Sequence, residues 1–132
     1  MYIAELKING QIRTLNFNNY GREALARFYG KDPLTIQAEL AQAWSESLLI
    51  LAADCVYWGL VGDYRANRKT VDFTIQDVSA WLQYMEDEEL APVISVFLNS
   101  IKDRLILVLN NLGKAQVQEQ EDDEKKNTVG KS

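Results

Sequence analysis

A chain of 132 residues, 47% of them hydrophobic, has enough apolar material for one domain with a real core. A net charge of -5 at pH 7 and a pI near 4.7 argue against a phosphate-backbone binder, which carries a clustered basic surface. Histidine is absent, which removes Ser-His-Asp and Cys-His catalysis, His-ligated metal sites and the commonest general base. The single cysteine, Cys55, has no intramolecular disulfide partner and lies in the apolar run Leu48–Trp58. It reads as a buried, inert thiol in a reducing, cytosolic setting.

Tyr2–Phe17 predicts a β-hairpin. Ile3, Glu5, Lys7 and Asn9 alternate with Tyr2, Ala4, Leu6 and Ile8, and Ile12, Leu15 and Phe17 supply the apolar positions of the second half. Asn9-Gly10 between them suits a type I′ turn, because both residues tolerate positive φ. A lone hairpin is marginal in water, so this one is either a cap on the helices that follow or an edge that seeks another chain.

Asn18 or Asn19 can cap a helix with apolar positions Tyr20, Ala24, Leu25 and Phe28, and Gly30 suits the left-handed position that closes it. Asp32-Pro33 then restarts the chain as N-cap and first helical residue. Helix is expected from Leu34 to about Arg65, with Ile36, Leu40, Ala43, Trp44 and Ser47 on one face, then Leu48, Leu51, Ala52, Cys55 and Trp58 or Gly59. Ser45–Ser47 is a candidate break and Gly59 and Gly62 are candidate ends, so one long helix and two shorter ones both remain open. Thr74-Ile75-Gln76-Asp77 resembles a capping box, with Phe73 and Val78 as the hydrophobic staple and Val78, Trp81, Leu82 and Met85 as the buried stripe of a helix ending near Tyr84–Glu86.

Asp87–Glu89 open the last helix, with Pro92 in its first turns. Leu90, Ile94, Phe97, Ile101, Leu105, Val108 and Leu112 make a continuous apolar seam that Leu98, Ile106, Leu107 and Leu109 widen beyond one packing face. Either a central helix is covered on two sides, or Phe97, Ile101, Leu105 and Val108 receive another chain. Gly113 closes the helix. The sequence thus predicts a mainly α fold, a bundle of four to five helices with an N-terminal hairpin (2–17) in one domain (1–113), followed by a charged, disordered tail (114–132).

Chemistry is thinly represented. Glu46, Asp54, Asp63 and the cluster Glu86–Glu89 are the carboxylates that can be singled out, and capping and solvation account for the cluster. Asp54, amid apolar neighbours, either faces solvent or pairs with an arginine. Gly59-Leu60-Val61-Gly62 lacks the spacing and lysine of a P-loop, and no EF-hand pattern occurs. Arg65, Arg68 and Lys69 read as a solvated helix C-terminus. The set Trp44, Trp58, Trp81, Tyr57, Tyr64 and Tyr84, without a basic stripe, points to core and protein contact and not to base stacking. No secretory signal is expected, and the run Leu48–Ala53, broken by Asp54, is too short to span a membrane. No cofactor or metal site is expected.

Taken in order, these pieces resemble the tail assembly chaperones of long-tailed, siphophage-type bacteriophages and prophages. The family's short β element, with a central glycine and a closing L-x-F, is matched by Glu5-Leu6-Lys7-Ile8-Asn9-Gly10-Gln11-Ile12-Arg13-Thr14-Leu15-Asn16-Phe17, and its glycine-closed helix by Ala24-Leu25-Ala26-Arg27-Phe28-Tyr29-Gly30. Phe73-Thr74-Ile75-Gln76-Asp77-Val78-Ser79-Ala80-Trp81-Leu82 is similar to a later family element, and the helix with Phe97 and Ser100 follows; together these cover about residues 3–112. The resemblance implies a non-enzymatic cytoplasmic protein that binds the tape measure protein, keeps it soluble and helps tail tube protein polymerise around it. Such a chaperone then leaves, and is not part of the mature virion. A charged end such as 114–132 suits the shorter of the two products this family often makes, and self-association is a further expectation. A small acidic helical regulator or antitoxin-like binding module is the alternative.

Overall fold

The structure, a computed structural model, describes residues 2–43, 48–104, 106, 107 and 110, with backbone alone for 48–51. The chain divides into two units, Met1–Ile101 and Lys102–Ser132. It is mainly helical with an N-terminal antiparallel hairpin, as the sequence predicts.

Strands β1 (Ile3–Ile8) and β2 (Gln11–Asn16) pair with Ile8 opposite Gln11 and Ile3 opposite Asn16. Asn9 and Gly10 both take positive φ, +52° and +81°, the type I′ geometry. This register puts Leu6, Ile8, Leu15 and Phe17 on the buried face and sends Ile12, opposite Lys7, to the other, where it is 69% exposed. Ile12 is therefore not part of the apolar face that the sequence assigned to it.

Helix α1 (Asn19–Tyr29) starts at Asn18, whose side chain accepts the Gly21 amide, and ends at Gly30 in the left-handed conformation (φ +63°). The Gly30 and Lys31 amides donate to Arg27 and Ala26, a Schellman closure. Helix α2 (Pro33–Ala43) begins with the Asp32 carboxylate accepting the Leu34 and Thr35 amides at 3.1 and 3.3 Å. Helix α3 runs Leu48–Ala66. The suspected break Ser45–Ser47, with Trp44 and Glu46, lies outside the described residues, so the junction of α2 and α3 stays undescribed.

Gly59 and Gly62 do not end α3 but sit inside it, and packing is the reason. A Cβ on Gly59 would stand 2.5 Å from Leu15 Cβ, and one on Gly62 would fall on the Asn16 carbonyl oxygen, so these glycines let β2 lie directly on the helix. Gly21 does the same for α1, where a Cβ would fall on the Trp58 carbonyl oxygen. The true end of α3 is a Schellman turn in which Arg68 (φ +57°) occupies the position usually held by glycine, with the Arg68 and Lys69 amides donating to Arg65 and Tyr64.

Helix α4 (Ile75–Trp81) carries the complete capping box: the Thr74 amide donates to Asp77 Oδ2 at 2.9 Å and the Asp77 amide to Thr74 Oγ1 at 3.1 Å. Phe73 and Val78 are both buried. The helix stops at Leu82, short of the predicted Tyr84–Glu86, because the Leu82 amide is shared among the last carbonyls in a tightened turn. Residues 87–104 are helical and form α5.

The core of the first unit is tied by aromatic edges and one asparagine. Phe97 meets Phe17 and Trp58 at centroid distances of 5.3 and 5.1 Å, and all three are buried. Trp58 Nε1 donates to the Asn18 carbonyl at 2.7 Å, while Asn18 Nδ2 donates to the Gly62 carbonyl at 3.0 Å. Asn18 thus joins the end of β2, the start of α1 and the middle of α3. In the second unit the described residues are helical, and Ile106 and Leu107 are exposed. The predicted helix end at Gly113 and the tail 114–132 lie outside the described residues.

Candidate functional site

Of the predicted partner-binding residues, Phe97 and Ile101 lie inside the core, 0% and 1% exposed. This corrects the expectation of an open surface there: the first turns of the seam are consumed by packing on Phe17 and Trp58, the covered-helix reading. Leu105 and Val108 lie outside the described residues, as do Leu109 and Leu112. Their neighbours Ile106 and Leu107, which widen the seam, are 44% and 62% exposed.

Part of the apolar set that the sequence assigned to the first helix lies on the outside of α1. Leu25 turns inward and is buried, while Tyr20 and Phe28 are 55% and 47% exposed, with Ala24 half-buried between them. Their i, i+4, i+8 spacing puts all three on one face. The Phe28 ring packs edge-on against Tyr29 at 5.0 Å, which fixes the lower end of the stripe. This is an amphipathic helix whose apolar face splits, Leu25 serving the core and Tyr20–Ala24–Phe28 serving the surface. Sequence periodicity alone sees one apolar set and does not show which flank has a neighbour.

Tyr29 also has a buried partner. Its hydroxyl donates to Asp54 Oδ1 at 2.6 Å, and Asp54 is buried, so the carboxylate neither faces solvent nor pairs with an arginine as the sequence suggested. Burial raises the Asp54 carboxyl above the usual carboxylate range, and the Tyr29 hydrogen bond pulls it partly back. Burial and then Asp54 push the Cys55 thiol well up, which leaves an inert thiol as expected.

The folded chain therefore keeps the Asp54 proton at pH values where the unfolded chain, with a carboxyl near ~4, has released it. Stability falls as pH rises from ~4 through the folded value. Asp54→Asn keeps an acceptor for Tyr29 and removes the charge, so it is expected to raise stability at pH 7 and flatten the pH dependence. Tyr29→Phe strips the carboxylate of its donor and is expected to cost about 1.5 kcal/mol at pH 7 and less at pH 4. Urea titrations at both pH values check the pair; a loss of stability at pH 7 in Asp54→Asn would contradict this assignment.

Lys69, read with Arg65 and Arg68 as a solvated helix C-terminus, is exposed as they are and stands beside an aromatic ring, as does Arg13. Arg13 Nη2 donates to the Tyr64 hydroxyl at 2.7 Å, and its guanidinium lies 5.7 Å from the ring centres of both Tyr64 and Trp81; Lys69 Nζ stands 5.9 Å from Tyr64. Phe73 fills the centre of this cluster, 5.1 Å from Tyr64 and 5.9 Å from Trp81. The arrangement fastens β2, α3 and α4 through cation–π contact. Tyr84, beyond it, is 95% exposed.

Glu86–Glu89 are exposed at the junction of α4 and α5, and the Glu86 main-chain carbonyl accepts the Glu89 and Leu90 amides as the first bonds of α5. Asp63 accepts from Asn67 Nδ2 at 3.1 Å. Among the described residues no group of His, Cys, Asp or Glu side chains converges as a metal site, and no helix is long and apolar enough to cross a membrane. Sequence reasoning missed Gln37, fully buried with its Oε1 accepting from Arg22 Nη1 at 3.1 Å.

No family model, curated protein or solved structure matches the chain. Among the described residues, Tyr20 and Phe28 leave an apolar stripe of α1 open to solvent.

Proposed function

We propose that the protein is a non-enzymatic binding protein, a tail assembly chaperone that holds amphipathic helical segments of a tape measure protein in solution and favours tail-tube polymerisation around it. The observation that carries the reading is the solvent-facing stripe Tyr20–Ala24–Phe28, an apolar helix face left open on an acidic body. Such a face suits a partner helix laid along it, with aromatic side chains as anchors at i and i+8 spacing. The exposed Ile106 and Leu107 offer a second apolar contact of the same kind. The acidic body keeps the chaperone and its cargo apart from other acidic surfaces and in solution. The ordered series of motifs from Glu5 to Leu82 is what favours a phage tail partner over other helical clients.

Co-expression with a tape measure protein encoded beside it, followed by pull-down on a tagged chaperone, is expected to recover a soluble complex. The tape measure protein expressed alone is expected in the insoluble fraction. Recovery of the chaperone without the tape measure protein, or equal solubility of the latter in both cases, would overturn the reading.

A further inference from the structure

The hairpin has an edge with unanswered backbone groups. The Phe17 amide donates to the Tyr2 carbonyl at 2.9 Å and Ile8 faces Gln11 across the turn, so Tyr2, Ala4, Leu6 and Ile8 direct their backbone groups to β2. Ile3, Glu5 and Lys7 alternate with them and turn their amides and carbonyls outward. Among the described residues no hydrogen bond reaches these groups, and all three side chains are exposed. Charged residues on an edge strand ordinarily discourage pairing. Here a carboxylate and an ammonium lie two residues apart on the same face, and that pattern is complementary to itself.

We infer that the β1 edge pairs antiparallel with the β1 edge of a second copy of this chain, with Glu5 opposite the partner's Lys7 and Lys7 opposite the partner's Glu5. The two-fold axis then passes beside Leu6, and the two hairpins make one four-stranded sheet. Only this register serves. A slip of two residues one way sets Glu5 against Glu5, the other way Lys7 against Lys7, and a slip of one residue brings outward-facing groups against groups already bonded to β2. The paired residues exchange main-chain hydrogen bonds, and the ion pairs lie on the outer face. The same register leads the partner's first residues past Ile8 and Asn9, towards an open groove of about 300 Å³ beside the hairpin tip whose walls include Trp81, Tyr84 and Met85.

So small a contact belongs to the weak class of interfaces, and it is tested by sedimentation equilibrium at low salt from about 10 µM to about 1 mM. The weight-average mass of the unmodified chain is expected to rise above the 15.0 kDa of the monomer as concentration increases. Glu5→Lys and Lys7→Glu, each substituted at an exposed position, are expected to weaken association about tenfold or more by setting like charges opposite one another. An equimolar mixture of the two variants, and the doubly exchanged chain, are expected to regain it, because both restore opposite charges across the edge. A mass of 15.0 kDa for the unmodified chain over the whole range, single variants that associate as well as it does, or a mixture that stays monomeric would each overturn the inference.

Discussion

Gly62→Val is expected to destabilise the protein by about 3 kcal/mol or more, a large part of the whole stability of a domain this size. The reason lies in the approach of β2 to α3. A Cβ on Gly62 would occupy the place of the Asn16 carbonyl oxygen and stand 2.7 Å from the Asn18 side-chain oxygen, and neither group can retreat. Asn18 is fixed by its bond to the Gly62 carbonyl and by Trp58 Nε1 on its own carbonyl. The helix propensity regained by replacing glycine, about 1 kcal/mol for alanine and less for a β-branched residue, does not offset this. Gly21→Val, placed on the Trp58 carbonyl, is expected to act alike. Gly30→Ala is the control: its Cβ meets nothing within 4 Å, so only the left-handed backbone opposes it, at about 1 kcal/mol. Urea midpoints for the three variants check the order, and a wild-type midpoint for Gly62→Val would show that β2 does not lie on α3 as described.

The second large effect separates core from surface. Phe97→Asp is expected to abolish folding, since it removes a ring held between Phe17 and Trp58 and leaves a charge in a site that is 0% exposed. Loss of the ring alone costs about 3–5 kcal/mol, and the unpaired charge adds to it. A partner lost with this variant would therefore say nothing of a binding surface. Tyr20→Asp and Phe28→Asp stand on the open side of α1, and each is expected to shift stability by no more than about 1 kcal/mol while removing an anchor for the partner helix. Circular dichroism melts and pull-down yields read on the same samples distinguish the two behaviours.

Local signals in the sequence carried most of the fold. Asn9-Gly10, Asn18, Gly30, Asp32-Pro33 and the Thr74–Asp77 box each act through the backbone of a few neighbours, so their reading needs no knowledge of the rest of the chain. What escaped was set by tertiary contact. Gly59 and Gly62 look like helix ends until β2 is laid on them, and the real end at Ala66 hides behind an arginine in a glycine's place. The seam through Phe97 and Ile101 and the set Tyr20, Ala24, Leu25 and Phe28 are equally apolar on paper. Only the packing of Phe17 and Trp58 on α5 decides that the first is core and part of the second is surface. Asp54 likewise became legible only when Tyr29, far away in sequence, reached it.

In the proposed function the outer stripe of α1 is the docking face for an amphipathic helix. Its most direct test is a binding isotherm, by fluorescence anisotropy, between the full chain and a labelled helical segment of the tape measure protein. Dissociation constants are compared for the unmodified chain and the doubly substituted Tyr20→Asp, Phe28→Asp variant. Saturable binding is expected for the unmodified chain and a dissociation constant raised at least about a hundredfold in the variant, as the loss of two anchors implies, with its melting curve nearly unchanged. Equal dissociation constants for two equally folded proteins would contradict it.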